Sequence, residues 1–241
     1  MQRYFGKIIG RQVLLEDKDV FHWTRVMRAK VGEKIEVVNE GEVYLAQINR
    51  FKPLEIDVVR RLKENNELPN KIVLIAALIK GDKMDLVLQK ATELGVDEIV
   101  LLETERTVVK FKKDEKEVKI KRFNAILKEA AEQSRRSVIP HLFRIIDFDH
   151  LSDVDADIKM IAYEEEAGPT NSFNKVVESI KPGKKVAVLI GPEGGFAEHE
   201  VELAMHLGYK KVSLGKRILR AETAAFYALS VIANHLEKKN A

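Results

Sequence analysis

The rhythm of apolar and polar positions changes near residue 70. Before that point the runs are short and alternate with a period of two. "KIEVVNEGEVYLAQINRF" is a pair of such runs on either side of Asn39-Glu40-Gly41-Glu42, which predicts a β-hairpin. "PLEIDVVRRL" predicts a further strand. Ahead of the hairpin, Asp17 is placed to cap a short helix that turns Val20, Trp23 and Met27 inward. Residues 1–68 thus read as a small β-barrel with one helix. "KENNELPN" (63–70) is polar, contains a proline and reads as a linker.

After it, "KIVLIAALI" (71–79) is a continuous apolar run, the pattern of a strand covered on both faces. Asp82 then opens a helix with Met84, Val87, Leu88, Ala91 and Leu94 on one stripe, and Gly95 is suited to end it in a left-handed conformation. Strands are predicted over 98–104, 159–165, 185–191 and 210–215. Helices are predicted over about 117–136, 171–180, 198–206 and 222–238. The helix over 117–136 should bury Phe123, Ile126, Leu127 and Ala130; the last should bury Ala225, Leu229, Ile232, Ala233 and Leu236. Alternating strands and helices imply an α/β domain over 69–241, with a mostly parallel sheet covered on both faces.

Composition narrows the chemistry. The 241 residues include no cysteine, which excludes thiolate metal sites, disulfides and cysteine nucleophiles and suits a reducing compartment. No stretch approaches the roughly 20 apolar residues of a membrane span, and the N-terminus lacks a signal-peptide core, so a cytoplasmic protein is expected. His22, His141, His150, His199, His206 and His235 show no metal-ligand spacing, so no metal is expected. Net charge is only +3, yet residues 110–136 hold ten basic and five acidic side chains. On charge alone a solvated helix face is the simpler explanation of that cluster.

The most distinctive chemistry lies at two strand ends. "LIGPEGGF" leaves the strand over 185–191 through a glycine-rich turn. It has neither the lysine and hydroxyl of a phosphate-binding P-loop nor the G-x-G-x-x-G spacing of a dinucleotide site, and Glu193 would repel a phosphate. "SLGKRILRAETAAFYAL" (213–229) leaves a second strand through another glycine. Taken alone, each glycine turn could simply solve a steric problem. Side by side, the two would form a cleft with backbone groups on one wall and Ile218 and Leu219 on the other, suited to an adenine ring.

Together these two motifs resemble the knotted methyltransferases of the SPOUT superfamily. "HWTRVMRAKVGEKIEV" (22–37), "KMDLVLQKATELGV" (83–96), "ERTVV" (105–109) and "EAAEQSRRSVIP" (129–140) narrow the resemblance to the RsmE family, which methylates N3 of a uridine in 16S ribosomal RNA near the decoding centre. The resemblance covers nearly the whole chain. It implies a PUA-like barrel, an α/β domain with a trefoil knot, S-adenosylmethionine as methyl donor, a homodimer, and 16S rRNA within the assembled 30S subunit as substrate. Strand and helix patterning does not itself imply a knot, since threaded chains are rare. S-adenosylmethionine carries a sulfonium and no phosphate, which suits a turn with a glutamate and no lysine.

Carried over residue by residue, the resemblance implies cofactor contacts at Ile190, Gly191, Glu193, Gly194, Leu214, Gly215, Ile218, Leu219, Arg220, Glu222, Thr223 and Ala224, with Tyr163 and Glu164 at the preceding strand end. For catalysis, Arg220 is the candidate to stabilise charge developing on the uracil oxygens; pairing with Glu222 or Glu193 is its structural alternative. Glu193 or Glu222 could accept the N3 proton. Candidate RNA contacts are His22, Arg25 and Arg28, at i, i+3 and i+6 of the first helix, with Lys30, Arg3, Arg106, Arg135 and Arg136. The chain departs from the family at Ala197, where relatives often have Ser or Thr, forgoing a helix cap worth about 1 kcal/mol. Two other functions remain possible: ribose 2′-O methylation of tRNA on the same fold, and RNA binding without catalysis. The N-terminal barrel and "EQSRR" argue against the first, and the intact glycines and "RAETA" against the second.

Overall fold

The computed structural model describes residues 1–163 and 173–238, the side chains of 113 and 114 excepted. It divides into two compact units: Met1–Glu67 with Ala131–Val138, and Leu68–Ala130 with Ile139–Ala241.

The first unit is a closed barrel. Its strands are β1 (Arg3–Ile9), β2 (Gln12–Leu15), β3 (Lys34–Asn39), β4 (Glu42–Phe51) and β5 (Leu54–Arg61), in the spatial order β1-β2-β5-β4-β3. The expected hairpin is β3–β4: Asn39 faces Glu42, and Glu40 and Gly41 turn the chain with φ of 51° and 81°. Parallel pairing of β1 with β3 closes the barrel and sets Arg3 opposite Glu36. Tyr4, Val13, Trp23, Ile35, Val37, Ile48 and Ile56 fill the interior.

The first helix is shorter than expected. α1 covers only Asp17–Phe21 and then widens into a π-turn over His22–Val26. The extra residue in that turn still buries Trp23, at 1% exposure, but leaves Met27 45% exposed, contrary to the expected apolar stripe. Arg28 lies beyond the helix with φ of 54°, so His22, Arg25 and Arg28 do not share one helical face.

Segment 131–138 also departs from a single cut at 68/69. It belongs with the barrel because its side chains answer barrel groups: Glu132 accepts the Phe5 N–H at 3.2 Å, and Arg136 Nε donates to Glu67 at 3.0 Å.

The second unit is a six-stranded, wholly parallel sheet. β6 (Ile72–Ala77), β7 (Glu98–Glu103), β8 (His141–Asp147), β9 (Ile158–Ala162), β10 (Val186–Ile190) and β11 (Lys210–Val212) lie in the order β11-β9-β10-β6-β7-β8. β8 has no counterpart in the sequence prediction. Around the sheet lie α2 (Lys83–Glu93), α3 (Lys113–Gln133), α4 (Phe173–Glu178), α5 (Glu198–His206) and α6 (Ala221–Lys238). Residues alternate between two cores: Ile72, Leu74, Val186 and Val188 face one, and Val73, Ile75, Ala187 and Leu189 face the other. Burial on both faces is the reason "KIVLIAALI" carries no polar alternation. Gly95 ends α2 with φ of 87°, and the expected inward residues of α6 are all buried. The connection 164–172, which any tracing of the implied knot must follow, lies outside the described residues, as does Glu164.

Candidate functional site

Because every strand of the sheet runs the same way, the loops after β9, β10 and β11 leave from one edge. β9, β10 and β11 are also the strands beyond the point where the order reverses between β6 and β10, the usual place for a ligand crevice. A cavity of about 460 Å³ lies there, within the size range of small-molecule sites. The two motif loops form its walls together, as expected. Tyr163, Ile190, Gly191, Glu193, Gly194, Leu214, Gly215, Ile218, Leu219, Arg220 and Ala224 all line it.

The glycine turn is shaped by its neighbours. The Gly195 N–H donates to the Pro192 carbonyl at 3.0 Å, with Gly195 at φ of 67°. A Cβ on Gly191 would come within 3.0 Å of the Phe196 ring, and one on Gly194 within 3.2 Å of Arg106 Cβ. Phe196 is held in turn by edge contact with Phe148, centroids 6.0 Å apart. Glycine at 191 and 194 is therefore a packing requirement of the wall.

Other expected residues stand elsewhere. Thr223 is exposed on the first turn of α6 and, like Glu222, is not part of the cavity wall. Glu222 is largely buried beside Lys83, whose Nζ is 3.6 Å from Glu222 Oε1 and 3.8 Å from Glu193 Oε1. Both acids thus have a lysine neighbour, and no described residue pairs with the exposed Arg220 guanidinium. The structural alternative for Arg220, pairing with either glutamate, is not what the structure shows.

Sequence reasoning missed part of the wall. Arg106, expected on an RNA surface, lines the cavity and donates from Nη1 to the Gly194 carbonyl at 3.1 Å. Its loop is anchored from below: the Glu105 N–H donates to Glu200 Oε1 at 2.8 Å, while Glu200 Oε2 accepts the Ala197 N–H at 2.9 Å. Glu200 therefore partly supplies the α5 capping that Ala197 cannot. Ala162, Pro192, Gly195, Phe196, Ser213, Arg217 and Ala221 complete the wall. All but Ala162 lie within the two quoted motifs, so taking the motifs whole would have found them.

Two of the expected RNA contacts are corrected. Arg3 is 3% exposed: Nε donates to Glu36 at 2.8 Å, Nη2 pairs with Glu64 at 2.8 Å, and Nη1 bonds the Arg135 carbonyl. Arg136 is 3% exposed against Glu67. Buried guanidinium groups in such pairs are part of the barrel's frame and offer nothing to RNA. Arg135 bonds Glu36 but keeps half its side chain exposed. His22, Arg25, Arg28 and Lys30 are exposed. His22 Nδ1 shares a 2.8 Å hydrogen bond with the Tyr4 hydroxyl, whose pKa is pushed up to about 12 by burial and by nearby Glu132 and Asp19.

Comparison with known proteins agrees with this arrangement. An RNA methyltransferase domain model matches residues 66–233, and an RNA methyltransferase PUA domain model matches 15–58. The chain belongs to this RNA methyltransferase family. It is 35% identical to ribosomal RNA small subunit methyltransferase E of Bacillus subtilis over 98% of both chains. A methyltransferase of Legionella pneumophila, solved with bound S-adenosylmethionine, is 32% identical with a TM-score of 0.87, over 97% of both chains. Ribosomal RNA small subunit methyltransferase E of Neisseria gonorrhoeae, also bound to S-adenosylmethionine, is 28% identical with a TM-score of 0.84 at the same coverage. The cavity carries residues of both motifs and lies in the part of the chain that the methyltransferase model matches.

Proposed function

We propose that the protein methylates N3 of a uridine in 16S rRNA, near the decoding centre of the small ribosomal subunit, with S-adenosylmethionine as donor. It acts as a cytoplasmic homodimer on the assembled 30S subunit. The observation that carries this function is the shared cavity of the 190–196 and 213–221 loops, in a chain whose relatives are small-subunit rRNA methyltransferases.

The residues fit the donor. The walls carry Glu193 together with Arg106 and Arg217. A mixed set of this kind suits a ligand with both a cationic centre and a carboxylate, as a methionine-derived sulfonium has. Gly191 and Gly194 let Phe196 and Arg106 pack against the turn, and Ile190, Leu214, Ile218 and Leu219 offer apolar cover. Ile218 is 83% exposed. When bound, the donor supplies an electrophilic methyl group.

The protein's part is to make uracil N3 a nucleophile. N3 must lose its proton, and charge then spreads to O2 and O4. Arg220, at the cavity wall and without a carboxylate partner among the described residues, stabilises that charge. Glu193 is the proton acceptor in preference to Glu222, because it lines the cavity and Glu222 does not. The walls hold the two reactants in line. On the barrel, exposed Arg25, Arg28 and Lys30 engage phosphates of folded RNA.

Mass mapping of 16S rRNA from a strain lacking this gene tests the proposal. One uridine should lose a methyl carried on the base, and the wild-type gene should restore it. An unchanged fragment map, or a methyl lost from a ribose, would reject N3 methylation.

A further inference from the structure

We propose that Lys83 is a positioning residue for the cofactor cavity, acting as an electrostatic latch between its two loops. This rests on the S-adenosylmethionine function proposed above and adds a residue to it that neither motif contains. Lys83 opens α2, which follows β6, the strand next to β10. Its ammonium stands 3.8 Å from Glu193 on the glycine turn and 3.6 Å from Glu222 at the start of α6. One cation thus bridges a carboxylate on the glycine turn and one on the first turn of the helix that follows the second loop. Glu222 has only 12% of its side chain exposed, and among the described residues its Oε2 is buried without a hydrogen-bond partner and Lys83 is its one close counter-charge.

The consequence follows from charge balance. With Lys83 present, two like charges sit near one another at low cost. Without it they repel, and they sit on the glycine turn and on the start of α6, the two segments that border the cavity loops. The Lys83–Glu193 pair is loose and well exposed, so its contribution to overall stability is small, while loss of Lys83 also leaves the largely buried Glu222 without its counter-charge. The effect of the two pairs on binding falls on the geometry of the walls. Simple charge repulsion makes the opposite prediction: if Lys83 merely opposed a cationic ligand, removing it would tighten binding.

Calorimetric titration of S-adenosylmethionine into the full chain tests this. Lys83→Met is expected to weaken binding about tenfold and to lower the melting temperature, since it strands the largely buried Glu222, and Lys83→Arg to restore most of both. In an E193Q background, where the repulsion is already relieved, adding Lys83→Met should cost less than about threefold, a coupling that general structural damage would not produce. Equal or tighter binding by Lys83→Met, or the same tenfold loss in both backgrounds, would overturn the latch. Wild-type protein that binds no S-adenosylmethionine would overturn both the latch and the function it rests on.

Discussion

Replacing Arg220 with alanine is expected to lower methyl transfer by about 10²–10³-fold, the usual cost of removing a preorganised group aimed at developing charge. Binding of S-adenosylmethionine should stay within a few-fold of wild type. The separation is expected because the backbone role of this residue survives truncation: the Arg220 carbonyl accepts the Ala224 N–H at 2.8 Å whatever the side chain. Among the described residues the guanidinium has no carboxylate partner to leave stranded, since Lys83 stands beside Glu193 and Glu222. Single-turnover transfer to rRNA and cofactor calorimetry on the same preparation check the two halves. Transfer near the wild-type rate would remove Arg220 from the mechanism. Parallel loss of both activities would make it a cofactor ligand.

The largest expected effect on stability lies in the barrel. Arg3→Ala should cost about 3–5 kcal/mol, as removing one partner of a buried ion pair does. Glu36 keeps only 4% of its side chain exposed and would lose its 2.8 Å partner, and the Arg135 carbonyl would lose a donor. Arg135 also bonds Glu36, so one counter-charge remains and the lower end of that range is favoured. Urea unfolding followed by Trp23 fluorescence, from the one tryptophan in the chain and inside the barrel, is the measurement. A variant of unchanged stability with weakened RNA binding would return Arg3 to the RNA surface, contrary to the burial seen here.

The contrast between Arg220 and Arg3 shows where the sequence is informative. Patterns local in the chain were legible. The β3–β4 hairpin follows from Asn39-Glu40-Gly41-Glu42, β6 from an unbroken apolar run, and the α6 core face from helical spacing. Most of the cavity wall was legible too, because two short motifs carry it. Features that depend on distant partners were not. Arg3 meets Glu64 across 61 residues and Arg136 meets Glu67 across 69. Nothing in "KENNELPN" distinguishes anchoring glutamates from solvated linker residues. The same segment places Asn70 at 2% exposure, donating to the Lys181 and Lys184 carbonyls at 2.7 and 2.8 Å. β8 escaped notice because an edge strand is covered unevenly: His141, Phe143 and Arg144 are exposed while Leu142, Ile145 and Ile146 are buried, so neither alternation nor a continuous run survives. The π-turn over His22–Val26 defeats helical spacing by construction, since its extra residue shifts every later side chain around the axis.

A crystal structure of the chain with S-adenosylmethionine tests the central claim most directly. The ligand is expected in the cavity at the ends of β9 and β10, its adenosyl group between the 190–196 turn and the 213–221 loop. Density for the ligand anywhere else, or a cavity closed by Phe196 and Arg106 at saturating concentration, would contradict it.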